Sequence, residues 1–401
     1  MSGNNALWRH RGFRRLYVST ISFSLGTQVY QLAMPLILYQ LTRSAGVMTG
    51  MRAVELLPNL LLAMFIGVWV DRIDRGRWAR LAIIGIVGLT TLQALTLEQG
   101  ANQGASALPF FFITAFILMT LHYLYAICRM GMIKEMLPST LLLPATGHLT
   151  VLNQVFAVLG PALAGGVLAW RMDFGLWLPV FAMLLAAWLL RDMDLPVRRP
   201  EAAGFWQEWR EGWQVFMANR PLWHLAWLVV LTNGSAGVVD VLFLFRARDQ
   251  LQLGPAEVGL LYGVAGIGGI AGGLLASRLR RRVGLGRLFA MGLIGEASCM
   301  LALGWGNAIP LLLLALGCNS FFTVLGNVCV WGFRQESTAS QYIGRISGLT
   351  GSLFKLLMPM TLVLSGAIAA QLPLAWILSA CAGAHFLAVL GTRLSAVYAV
   401  K

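Results

Sequence analysis

Charged side chains are scarce in this sequence. Asp, Glu, Lys and Arg make up 11% of the 401 residues and 58% are hydrophobic, with a mean hydropathy of +0.73, whereas soluble domains carry roughly 25% charge. A soluble enzyme, a disordered chain and a receptor with a large ectodomain are thereby excluded. Lysine is rarer still, limited to Lys134, Lys355 and Lys401. None stands in a GxxxxGK loop closed by Ser or Thr, so the chain does not itself hydrolyse ATP. Cysteine is limited to Cys128, Cys299, Cys318, Cys329 and Cys381, an odd set in or at the ends of apolar runs without a CxxC pair. Neither a disulfide nor a metal site is implied.

Apolar runs fill the space that charge leaves, at roughly 15–39, 46–70, 79–98, 107–130, 145–170, 174–191, 222–246, 255–277, 286–304, 308–332, 343–371 and 373–392. At about 20 residues per span, twelve spans leave ordinary loops and no room for a soluble domain. The first run is longer than a signal-peptide core and has no small-residue cleavage site, so it reads as a retained span. The net charge of +14 would suggest nucleic acid in a soluble protein, but here the cations are topological. Twenty-four lie at the termini or in loops after even-numbered spans, and four (Arg43, Arg171, Arg246, Arg248) in loops after odd-numbered ones. This bias puts both termini in the cytoplasm and leaves no nucleic-acid partner. The remaining two, Arg52 and Lys355, fall inside spans.

The expected fold is an all-α integral membrane protein of twelve transmembrane helices in two pseudo-symmetric six-helix bundles, 1–191 and 222–401. The linker 192–221 carries Trp206, Trp209, Trp213 and Phe216 at helical spacing among charged residues, which reads as an amphipathic helix in the headgroup region that tethers the halves. The halves repeat: Gly67-Val-Trp-Val-Asp71-Arg72 ends span two, and Gly273-Leu-Leu-Ala-Ser277-Arg278 ends span eight. Gly147-His-Leu-Thr and Gly344-Arg-Ile-Ser likewise open spans five and eleven. Two homologous bundles with a site at their interface are the architecture of rocking-bundle secondary transporters.

Gly67-Val-Trp-Val-Asp71-Arg72-Ile-Asp74-Arg75-Gly-Arg77 resembles the GxxxDRxxRR loop between spans two and three of the major facilitator superfamily, with Gly76 ahead of the last arginine. Gly12-Phe-Arg-Arg-Leu, Asn219-Arg-Pro-Leu, Gly254-Pro-Ala-Glu-Val-Gly-Leu-Leu and Gly344-Arg-Ile-Ser-Gly-Leu resemble its bacterial branch that includes the enterobactin exporter and macrolide efflux pumps. The resemblance implies a conformational latch, in which Asp71 meets the start of span eleven near Arg345. An acid at a helix end suits that role because it can cap a neighbouring helix or pair with its arginine. Gly160-Pro161-Ala-Leu-Ala-Gly165-Gly166 in span five resembles the exporters' GPxxGG motif with one extra residue before the glycines. It suits either a kinked packing face or a determinant of export direction. Gly266-Ile-Gly268-Gly269-Ile-Ala271 imitates a dinucleotide loop, but with no strand before it, helix packing explains it better.

Ionisable groups in hydrocarbon are costly unless paired or wet, so each is a candidate site. Arg52 and Glu55 share a helix face three residues apart and can pair. Glu55 and Asp240 lie in the outer half and, with Arg52 beside Glu55, are candidates for proton coupling or structural partners. Lys355 lies ten residues beyond Arg345, roughly 15 Å into span eleven, with no acid within a turn along the sequence. Glu296, His122 and His385 are also deep, and a deep histidine is more often a packing residue than a proton relay. Gln28, Gln31, Asn59, Asn153, Gln154, Asn233 and Asn319, beside Tyr30, Tyr123 and Tyr125, suit an amphipathic ligand with several hydrogen-bonding groups.

The expectation is a monomeric, multi-pass secondary transporter of the bacterial inner membrane, with no enzymatic activity, cofactor or metal. It would export a small amphipathic molecule, first a siderophore, by alternating access against the proton gradient. Its substrate site would include Lys355, Gln28, Gln31, Tyr30, His122, Tyr123, Asn233 and Asn319. A multidrug or macrolide-type pump and a siderophore or nutrient importer are the alternatives.

Overall fold

The computed structural model describes residues 7–70, 73–99, 107–171, 174–191, 193, 205–339 and 342–398. Among them every long element is an α-helix: α1 (Arg11–Thr42), α2 (Ala45–Val70), α3 (Arg75–Gln99), α4 (Leu108–Met136), α5 (Ser139–Trp170), α6 (Phe174–Leu189), α7 (Phe205–Ala218), α8 (Arg220–Asp249), α9 (Pro255–Val283), α10 (Leu285–Trp305), α11 (Ile309–Glu336), α12 (Ile343–Leu353), α13 (Met358–Ile368) and α14 (Leu374–Leu394). Helices cover each apolar run, the eleventh in two pieces. Nine stretches among the described residues are long and apolar enough to cross a membrane, counting Arg345–Ile368 as one.

The contacts form two compact units. One comprises Met1–Thr42 with Leu57–Ala202, the other Arg43–Leu56 with Ala203–Lys401. The N-terminal part of α2 therefore clusters with the second unit and the rest with the first. In the first unit α1 packs on α5 and α6, and α3 on α4 and α6; in the second, α9 packs on α11, α10 on α11 and α14, and α8 on α13 and α14.

The burial pattern is that of a protein whose solvent is lipid. Along α9 the exposed stripe is Leu260, Ile267, Ile270 and Leu274, while Gly266, Gly269 and Gly272 are buried. A Cβ at Gly268 would overlap the backbone of Gly317, and one at Gly272 that of Phe321. The glycine run is thus a helix-packing face, because between lipid-solvated helices close approach supplies the attraction that apolar burial supplies in water. A capping interaction from Glu257 to the Gly254 N–H starts α9. Gly284, at φ 86°, ends it and starts α10, a left-handed conformation that glycine adopts without strain.

The linker helix is seated on the second unit's core. Phe216 is fully buried, and the rings of Trp213 and Phe216 lie 5.8 and 5.2 Å from that of Trp223. Trp209 remains 40% exposed.

Candidate functional site

Lys355 sits in a break between two helices. The sequence reads 343–371 as one span, and the structure corrects this: α12 stops at Leu353 and α13 starts at Met358. Pro359 has no N–H for the Lys355 carbonyl four residues back, and its ring crowds that carbonyl. The chain closes instead with three-residue steps, Met358 N–H to Lys355 O at 3.2 Å and Lys355 N–H to Ser352 O at 3.1 Å. Asn233 of α8 braces the break by donating from Nδ2 to Phe354 O at 3.0 Å, and Thr361 Oγ1 donates to Gly234 O at 2.8 Å. Gly234 allows this approach, since its Cβ position lies 3.1 Å from Leu357 Cβ. Pro359 was the available sequence signal.

The second unit also gathers the other intramembrane charges. Arg52 Nη1 donates to Glu55 Oε2 at 2.8 Å along one helix face, and Glu55 is buried while the Arg52 side chain is 34% exposed. Arg52 is close enough to act electrostatically on Asp240, Tyr262 and Lys355. Tyr262 donates to the Asp240 carbonyl at 3.5 Å, and Asp240 also feels Glu296. Residues spread from α2 to the break after α12 thus form one electrostatic cluster. Two of its members, Arg52 and Lys355, are like charges acting on each other.

Glu296 and His385, 89 residues apart in sequence, meet in the interior, with His385 Nε2 2.9 Å from Glu296 Oε2. Sequence reading noted each as deep but had no means to pair them. Asn319 is half-buried on α11.

The remaining predicted residues lie in the first unit. His122 is buried, with Nδ1 2.9 Å from Leu118 O and Nε2 3.2 Å from Thr27 Oγ1. Gln28 lies directly over Gly160, where any Cβ would overlap it. Tyr30 is fully buried, and Gln31 and Tyr123 are half-buried. α5 runs unbroken through Pro161, with Gly165 buried and Gly166 facing open space.

Of the latch residues, Asp71 and Arg72 lie outside the described residues, as does the surrounding of Gly67. Asp74 Oδ1 accepts from Arg77 N at 3.0 Å and so caps α3. Arg75 crosses Gly131, where a Cβ would overlap it, to pair with Glu135 at the end of α4. The second unit has a similar arrangement: Arg280 lies against Gly332 and bonds both oxygens of Glu336, at 3.0 and 2.5 Å. Sequence reading missed both acids, although GxxxE closes α4 and α11 alike. Arg345 pairs with Glu211 of α7 at 2.8 Å.

Comparison with known proteins agrees with this helical architecture. The chain is 23% identical to macrolide efflux protein A of Streptococcus pyogenes over 356 residues, 85% of each chain. It is 21% identical to the MFS-type transporter YkuC of Bacillus subtilis over 360 residues, 86% of this chain and 82% of that one. The nucleoside transporter NupG superposes with a TM-score of 0.78 at 9% identity, covering 96% of this chain and 99% of that one. A bacterial homologue of the iron transporter ferroportin, solved in an inward-facing state, gives 0.73 at 15% identity, covering 96% and 98%. The family model for the Major Facilitator Superfamily matches residues 16–361, and the chain belongs to that superfamily.

Proposed function

We propose that this chain is a secondary transporter of the bacterial inner membrane, with both termini cytoplasmic. In this reading it acts as a monomer and exports a small amphipathic anion by alternating access in exchange for protons. A secreted siderophore is the first candidate substrate. The observation that carries this reading is Lys355, a cation at the break between α12 and α13 and within electrostatic reach of Arg52. A carboxylate or catecholate bound there gains a charge-assisted hydrogen bond from Lys355, which a cationic drug cannot accept. Discontinuous helices are a recurrent means of presenting backbone groups to transported solutes. Likeness to a macrolide efflux protein supports outward transport and also favours a second reading, a pump for macrolide-type drugs.

The test is uptake by inverted membrane vesicles of enterobactin, a carboxylate siderophore and erythromycin. Lys355→Ala is expected to reduce siderophore transport at least tenfold and to spare erythromycin, with Lys355→Arg rescuing only partly because a planar fork replaces a point charge. Equal losses for all three probes would defeat anion recognition at Lys355. Erythromycin uptake without siderophore uptake in the wild type would favour the second reading.

A further inference from the structure

The buried pair Glu296 and His385 has a proton count that its hydrogen bonds fix. His385 is 0% and Glu296 8% exposed. The Cys381 carbonyl can only accept, so His385 Nδ1, 3.1 Å away, carries a proton. Ser235 Oγ donates to Thr232 O at 2.9 Å and is left to accept from the same Nδ1 at 3.2 Å. With Nδ1 protonated, a neutral imidazole presents a lone pair at Nε2, and a carboxylate presents only lone pairs. Their 2.9 Å contact therefore requires one further proton, held by either His385 or Glu296. His122 makes no such demand: the Thr27 hydroxyl at its Nε2 donates to Phe23 O at 2.8 Å but can turn to donate to a neutral ring, which a carboxylate cannot do.

The pair adjoins a cavity of about 40 Å³ with a largely apolar wall, onto which Glu296, Thr232, Asn233, Thr323 and Asn327 also open. A space of that size with several polar side chains on its wall can hold water, the carrier by which a proton reaches the carboxylate. Asn233 on its wall also braces the break beside Lys355. Among the described residues, the other titratable groups around the pair are Cys381 of α14 beside His385, Asp240 of α8, and Cys299 on the helix of Glu296, itself beside Cys318 of α11. α9 carries its charges near its ends, Glu257 at one and Arg278, Arg280, Arg281 and Arg282 at the other. Arg246 of α8 bonds Gly306 O and Asn307 Oδ1, both at 2.8 Å, just past the far end of α10.

We propose that Glu296 and His385 together form the binding site of the transported proton, a role that rests on the antiport reading above. The proton arrives through cavity water and bridges Nε2 and Oε2. Its release sets lone pair against lone pair, loosens α14 from α10 and, through Ser235, from α8, and so shifts Asn233 and the break that carries Lys355. No other bond is made or broken.

Two measurements on the full-length protein test this. In nanodiscs with ¹⁵N-labelled histidine, one ring, identified by its loss in His385→Gln, is expected to show a strongly hydrogen-bonded Nε2 that titrates with pH. Glu296→Gln, whose amide can donate to Nε2 at every pH, should abolish that titration. A His385 ring that stays neutral and unchanged from pH 5 to 10 in the wild type would overturn the proposal without touching the antiport reading. In proteoliposomes, an imposed pH gradient should accelerate wild-type enterobactin transport, and the ratio of rates with and without it should fall to unity in both variants while exchange persists. A gradient response that survives in both variants defeats the pair alone. A wild type that exchanges enterobactin but ignores the gradient defeats antiport, and the pair's coupling role with it.

Discussion

Replacing Pro359 with alanine should heal the break at Lys355. Alanine restores a donor for the Lys355 carbonyl and removes the ring that crowds it, a change in helix preference of about 3 kcal/mol. Against it stand two bonds that brace the broken form, Asn233 Nδ2 to Phe354 O and Thr361 Oγ1 to Gly234 O. At about 1 kcal/mol each, they leave about 1 kcal/mol in favour of a continuous helix, or roughly a fivefold population bias. Spin labels at Gly348 and Val363, which lie on α12 and α13 and are both exposed, report the outcome by their separation. Fifteen residues of straight helix span roughly 22 Å, and Pro359→Ala should move the distribution towards that value and narrow it. Turnover should fall, because Lys355 then leaves its irregular segment. Adding Asn233→Leu removes one brace and should shift the population further. Unchanged distances together with unchanged turnover would refute the assignment of the break to Pro359.

Three further outcomes are expected. Gly268→Ala should destabilise the purified protein by about 1–3 kcal/mol, the range for overpacking, because its Cβ overlaps the Gly317 backbone. Gly273→Ala, whose nearest contact is 3.6 Å, should be close to neutral in the same thermal assay. Glu135→Gln should lower thermal stability more than Glu135→Gln combined with Arg75→Met, since the side chains are only 11% and 16% exposed and a lone buried charge is worse than none. Arg345→Gln should change stability by less than about 1 kcal/mol, because its partner Glu211 is 42% exposed and such pairs are screened by water; a loss of several kcal/mol would refute that reasoning.

Scarce charge and long apolar runs determined from the sequence alone that the chain is a helical membrane protein, since lipid leaves backbone polar groups few partners but their own helix. The glycines of α9 were legible as a packing face for the same reason: only a missing Cβ lets the Gly268 and Gly317 backbones meet. The arginine–glutamate pair on α2 was legible because three residues of helix bring side chains together.

Tertiary structure decided what depends on contacts distant in sequence. Pro35, Pro58, Pro144, Pro161 and Pro179 all lie within continuous helices, while Pro359 ends up at a break, because there Asn233 and Thr361 supply hydrogen bonds that brace the broken form. Arg52 acts on Asp240 and Lys355, and His385 meets Glu296 at 2.9 Å, only because separate helices were packed side by side. A sequence places each such group at a depth along its own helix by counting residues; which helix faces it is set by the packing of the whole unit.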